Sequence, residues 1–154
     1  MTRIAVVSDT HGLLRPTVVP ALMHCDQVLH AGDVGDQRIL NGLAAIGPVR
    51  AVRGNTDRGP FGSGLPLTEM VQVGGVGIYM IHILEDLDID PVAAGVSVVI
   101  SGHTHRPLIE RRRGVLYLNP GSCGARRFDL PVTVAELRIE NGAAQAELIS
   151  IELE

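Results

Sequence analysis

Seven side chains able to hold a metal ion stand at the ends of short apolar runs. Asp9 and His11 lie in SDTHG (8–12), Asp33 in HAGD (30–33), Asn55 in RGN (53–55) and His82 in MIH (80–82). His103 and His105 alternate in SGHTH (101–105). Singly, each has an ordinary reading. Asp is favoured at caps and turns, Asn tolerates left-handed turns, and an isolated His pair is a weak signal. Together they use four of the six histidines in the chain, each at the end of an apolar run, which independent accidents do not produce. Seven donors exceed the four of a closed tetrahedral zinc site. The set suits two divalent cations about 3.5–4 Å apart, sharing a carboxylate and a water whose pKa they lower. Its imidazole content points to Mn, Fe, Zn, Ni or Co rather than Mg or Ca, and does not choose among the five.

The apolar runs read as the strands that must position these residues. RIAVVSD (3–9), QVLHAGD (27–33), VRAVRGN (49–55) and VSVVISG (96–102) are rich in β-branched residues and end in polar ones. LTEMVQV and VGIYMIH flank Gly74-Gly75 as a hairpin, LIERRR turns at Gly114 into VLYLNPG, and TVAELRI and AQAELISI flank Asn141-Gly142. PTVVPALMHC (16–25) is a short helix limited by Pro20, and Asp36 caps a helix over QRILNGLAAI (37–46). Residues 57–66 are expected to be loop, and Asp90-Pro91 to open a short helical stretch. The order βαβαβ followed by hairpins predicts a pair of central sheets with helices outside. Ligands gather at the carboxyl ends of such strands, so the seven donors converge on one rim.

Composition narrows the class. At 154 residues the chain reads as one domain, 1–154. It is 45% hydrophobic but only 3% aromatic, so its core rests on Val, Ile, Leu and Ala. A net charge of −4 argues against a surface built for nucleic-acid polymers or anionic membranes. Cys25 and Cys123 form no CxxC pair, and no leader or membrane-length apolar run is visible; a cytoplasmic setting is expected.

SDTHG, AGDVGD (31–36), RGNTD (53–57), MIH and SGHTH resemble, in order and spacing, the five blocks of the calcineurin-like metallophosphoesterases. LNPGSCGARR (118–127) and the small size resemble the compact bacterial and archaeal phosphodiesterases related to the retromer subunit. The resemblance implies an α/β fold, a four-layer αββα sandwich of two mixed β-sheets flanked by helices. It also implies a dinuclear-metal-dependent phosphodiesterase that cleaves small phosphodiesters through a metal-bridging hydroxide. Asp9, His11 and His105 would hold one ion, Asn55, His82 and His103 the other, and Asp33 would bridge. Asp33, Asn55, His82 and Asp57 would thereby be the catalytic set, with Asp57 orienting the loop or a ligand beside the other three. Because His103 and His105 alternate along the chain, a bend at the strand end must let both reach the site.

Two departures bear on chemistry. Thr56 stands where larger family members have a His that protonates the leaving group, and a hydroxyl cannot do this near neutral pH. Ile83 and Leu84 replace a Gly-His pair after His82, making the substrate surface more apolar, and EDLDID (85–90) is expected to be a solvated face. Arg15, Arg58, Arg106, Arg126 and Arg127 flank the blocks as candidate phosphate partners. Asn119 and Gly121 are expected to shape a loop beside the site. The alternatives are a phosphomonoesterase, since the same metal pair serves both reactions, and a non-catalytic scaffold like the related retromer subunit. Oligomerisation through hairpin edges is left open.

Overall fold

The computed structural model describes residues Met1–Leu153, which form two five-stranded mixed sheets packed face to face. Strands β1 (Thr2–Val7), β2 (Gln27–His30) and β3 (Val49–Ala51) pair in parallel. Their crossovers contain α1 (Val18–Leu22) and α2 (Gln37–Leu43). Strand β9 (Thr133–Glu140) joins β1 antiparallel and β10 (Ala143–Ser150) closes that edge, giving the order β10-β9-β1-β2-β3. The second sheet runs β4-β5-β6-β8-β7, from β4 (Thr68–Val73), β5 (Val76–Ile81), β6 (Val98–Ile100), β7 (Leu108–Arg112) and β8 (Val115–Asn119).

Side-chain alternation sorts the apolar residues into layers. Ile4 and Val6 of β1 pack with Ile78 and Met80 of β5, Leu116 and Leu118 of β8 and Leu137 of β9 between the sheets. The intervening Ala5 and Val7 face Val18 and Leu22 of α1 and Ile39 and Leu43 of α2. β1, β5 and β9 bury residues on both faces, which is why they read as near-continuous apolar runs. On the far face of the second sheet, Tyr79, Ile81 and Val99 are covered by Leu84, Leu87, Ile89 and Val96, in a 3-10 turn (Leu84–Asp86) and irregular chain.

Local chemistry sets the boundaries. The Asp36 carboxylate accepts from Arg38 N at 2.8 Å and caps α2. Pro20 fits inside α1 because the first turn of a helix leaves its N–H groups unpaired. All three hairpins turn on two residues with positive φ: Gly74-Gly75, Arg113-Gly114 and Asn141-Gly142.

Two expectations fail. Residues 57–66 are not all loop, because Gly59–Ser63 form a short helix, α3, with Pro60 in its first turn. The stretch after Asp90-Pro91 is a turn, not a helix. Asp90 Oδ1 accepts from Val92 N at 3.2 Å, but Gly95 takes φ +74° and redirects the chain into β6.

Candidate metal centre

The two sheets deliver the seven donors to the seam between their strand ends. β1 leads into Asp9 and His11, β2 into Asp33, β3 into Asn55, β5 into His82, and β6 into His103 and His105. Five of the seven, Asp9, His11, Asp33, His103 and His105, have φ between +47° and +72°. Non-glycine residues rarely adopt this conformation, and such strain gathers at functional sites. Left-handed turns at both His103 and His105 supply the bend that brings alternate residues to one place. Close approach of the loops fixes residue size as well. A Cβ on Gly102 would overlap Ser8 Oγ, and one on Gly54 would overlap Asp33.

The donors fall into two groups. Those of Asp9, His11 and His105 lie within 4.8 Å of one another, as do those of Asp33, His82 and His103. Asn55 joins the second group, its Oδ1 3.1 Å from His82 Nε2 and 3.0 Å from His103 Nδ1. Asp33 lies between the groups, with Oδ2 3.2 Å from His82 Nε2 and 3.5 Å from His11 Nε2. Asp9 Oδ1 is 3.4 Å from His105 Nε2 and 3.6 Å from His11 Nε2.

Asp9 Oδ1, His11 Nε2 and His105 Nδ1 are buried without a hydrogen-bond partner. Orphaned buried atoms of this kind call for an unseen partner. Two of the three belong to a carboxylate and an imidazole that face each other, so the residues present fit a bound cation.

Electrostatics agrees with that fit. Burial would raise the Asp9 pKa, but His105, His11 and His82 outweigh it and hold the group well below the usual carboxylate range. Burial likewise opposes ionisation of Asp33, yet His82 and the Thr56 N–H, which donates to Asp33 Oδ1 at 2.9 Å, depress its pKa. Burial disfavours charge on His82, but Asp33 and Asp9 raise its pKa.

The supporting contacts are specific. His82 Nδ1 is 2.7 Å from Ala31 O, which leaves Nε2 facing Asn55 and Asp33. Ser8 Oγ donates to Asp9 Oδ2 at 2.6 Å, and His103 N donates to the same oxygen at 3.1 Å. Asp57 does not reach the cluster. Its carboxylate accepts from Val34 N, Gly35 N and Gly54 N at 3.2, 3.1 and 2.9 Å, tying the Asp33 loop to the Asn55 loop. Asn119 Nδ2 donates to Gly102 O and Thr104 Oγ1 at 3.0 and 3.2 Å, and Asn119 Oδ1 accepts from Gly121 N at 2.9 Å, shaping the His103 loop.

His30 is the principal residue not anticipated. It is fully buried, its Nδ1 accepts from Gly32 N at 3.1 Å, and its Nε2 donates to Thr10 Oγ1 at 2.9 Å. Thr10 Oγ1 in turn donates to Val34 O at 2.7 Å, so one neutral imidazole links the Asp9 and Asp33 loops. Burial pushes its pKa down to about 4. The only signal in the sequence is a His three residues before Asp33.

One cavity is lined by donors, and a second lies beside the His103 loop. The first, of about 470 Å³, has Asn55 and His82 at one side, apolar walls from Leu67, Ile81 and Ile83, and Arg53 on its lining. Asp86 and Asp88 also line it, so the acidic run is solvent-exposed yet faces this cavity. The other, of about 510 Å³, is lined by Gly102, Thr104, Arg106 and Asn119. Of the candidate arginines, Arg106 therefore borders a cavity. Arg15 Nε donates to Gly124 O at 2.9 Å and Arg126 Nε to Leu130 O at 3.3 Å, so each guanidinium also ties down a loop.

The family model of the calcineurin-like phosphoesterase superfamily domain matches residues 2–142. The chain belongs to this superfamily. It is 34% identical to a probable metallophosphoesterase of Methanothermobacter thermautotrophicus over 95% of this chain and 91% of the relative. A probable metallophosphoesterase of Methanocaldococcus jannaschii is 35% identical, over 97% of this chain and 81% of its own. Among solved structures, Vps29 of Chaetomium thermophilum superposes with TM-score 0.79 at 18% identity, covering 98% of this chain and 97% of Vps29. An archaeal phosphodiesterase gives 0.76 at 22% identity, covering 96% and 100%. These two likenesses show the metallophosphoesterase fold. The superfamily is metal-dependent, and among the described residues no helix is long and apolar enough to cross a membrane.

Proposed function

We propose that this metallophosphoesterase is a dinuclear phosphodiesterase for small phosphodiesters. The observation that carries the reading is the convergence of all seven donors in two groups, with Asp33 between them and buried atoms left unpartnered. On this reading Asp9, His11 and His105 would hold one divalent ion, Asn55, His82 and His103 the second, and Asp33 would be shared by both. Mn is the first candidate, with Ni, Zn, Fe and Co as the alternatives the donors suit. Such ions supply a Lewis acid for the phosphoryl oxygens and a nucleophile from water at neutral pH.

The chain's own residues set the rest. Asp9 and Asp33 are ionised at neutral pH and so ready to receive cations. Asn55 Oδ1 meets both His82 and His103, which fixes the orientation of the two rings. The Leu67–Ile81–Ile83 cavity beside His82 provides an apolar wall for one organic arm of a diester. Thr56 gives its N–H to Asp33 and brings no group able to protonate an alkoxide. Water must serve that role, so diesters with good leaving groups react best and overall rates are modest.

The likeness to Vps29 supports a second, scaffold reading, but fold alone does not select function. Hydrolysis of a chromogenic diester and its monoester by metal-stripped protein, with Mn²⁺, Ni²⁺, Zn²⁺ or Mg²⁺ restored, separates the cases. The expected result is diester cleavage that returns with a transition metal and falls at least about a hundredfold in His103→Ala. Predominant monoester cleavage would make the protein a phosphatase. Absence of cleavage with every metal would favour the scaffold.

A further inference from the structure

Strand β9 carries a carboxylate inside the helix-covered face of its sheet. Ala135, Leu137 and Ile139 point between the sheets, so Val134 and Glu136 face the helices. Glu136 is only 5% exposed, opposite Ala5 on β1 and Glu147 on β10. A buried carboxylate is costly unless it is paired. One oxygen, Oε2, has Arg138 Nε at 3.4 Å. The other, Oε1, meets two groups from the turn after α1: the Nε2 of His24, and the Sγ of Cys25 at 3.9 Å.

An ion pair accounts for His24 and Glu136, while the Cys25 thiol reaches the same oxygen only at the long end of a sulfur hydrogen bond, 3.9 Å. The imidazole, thiol and carboxylate donors all lie within 4.8 Å of one another. A tetrahedral ion with bonds of about 2.0–2.3 Å spaces such donors by roughly 3.3–3.5 Å, so shifts of a few tenths of an ångström to about one ångström would close the set. The side chain of His24 is 42% exposed, so a fourth position opens to water. The place is far from the strand-end donors. Asp26 N donates to Arg3 O at 2.7 Å and Arg3 N to Asp26 Oδ2 at 2.8 Å, which fixes this turn at the starts of β1 and β2.

We propose that His24, Cys25 and Glu136 form a separate mononuclear site for a thiophilic transition ion of the Zn²⁺ or Co²⁺ kind, with three protein donors and one water. The bound ion clamps the turn after α1 to β9. Its sulfur donor distinguishes it from the strand-end centre, whose seven candidates are carboxylate, amide and imidazole.

The test is a Co²⁺ titration of the metal-stripped full chain, followed by electronic absorption. A bound thiolate gives a sulfur-to-cobalt charge-transfer band in the near ultraviolet, which nitrogen and oxygen donors do not. Once all sites are filled, the expected band has the intensity of one thiolate-bound Co²⁺ per chain; it disappears in Cys25→Ser and needs at least about tenfold more Co²⁺ in His24→Ala and Glu136→Gln. It survives in Cys123→Ser and in His103→Ala. Circular dichroism of each variant confirms a folded chain, and Glu136→Gln, which keeps the side-chain shape, decides the matter if Cys25→Ser does not fold. No such band in the wild type would mean a His24–Glu136 ion pair only and would overturn the proposal. So would a band that persists in folded Cys25→Ser or vanishes in Cys123→Ser.

Discussion

Asp57 and His30 show how single residues outside the donor set hold it in place. Asp57 receives three backbone N–H groups from two loops. Replacing it with Ala leaves buried donors unpaired, with an expected loss of about 1–3 kcal/mol in stability. Metal affinity should fall by roughly ten- to a hundredfold as the Asp33 and Asn55 loops loosen. Denaturant melts and metal titration of Asp57→Ala check both; unchanged metal affinity would count against the positioning role. His30 makes a pH prediction. Its pKa is about 4 in the fold against an ordinary 6.5, so between those values the unfolded chain binds a proton that the native one excludes. Stability contributed by neutral His30 is therefore full above about pH 6.5 and lost as pH falls toward 4, by about 3 kcal/mol in total. The stability difference between wild type and His30→Gln, measured by urea melts across pH 4–7, should shrink by that amount as the solution is acidified. A difference independent of pH would contradict it.

At the scale of elements, turns set registers and glycine permits the turns. Gly142 has φ +74° in the β9–β10 hairpin, with open space where a Cβ would sit. Gly142→Ala therefore tests backbone strain alone and should cost about 1–2 kcal/mol, read as a lowered denaturation midpoint. A neutral effect would show that the hairpin relaxes into another turn. This hairpin was legible because Asn-Gly between apolar runs has one strong solution, and the strand ends were legible because each closes in a donor. α3 was not, since Gly59, Pro60, Gly62 and Gly64 argue for loop. What holds it is packing, with Phe61 against the helix-side core and Gly62 against the Asp57 backbone. The short turn after Asp90 shows the reverse, a good cap with too little chain before β6. His30, Ser8 and Thr10 escaped notice because their partners are brought close only by the fold. Ser122, whose hydroxyl donates to Asp9 O at 2.9 Å across 113 positions, is the extreme case.

For the whole molecule, the site depends on two sheets staying in register. Asp9, His11, Asp33 and Asn55 come from one, and His82, His103 and His105 from the other. Leu137 is fully buried in the shared interface, so Leu137→Ala should cost about 2–5 kcal/mol, and a loss under about 1 kcal/mol by chemical denaturation would contradict that packing. The central claim is that Asp33 joins two ions in this seam. Electron paramagnetic resonance of metal-stripped protein reconstituted with Mn²⁺ tests it most directly. A bridged pair predicts an exchange-coupled spectrum in the wild type and its collapse to isolated-ion signals in Asp33→Ala. Isolated-ion signals alone in the wild type at saturating Mn²⁺, or coupling that survives in Asp33→Ala, would contradict it.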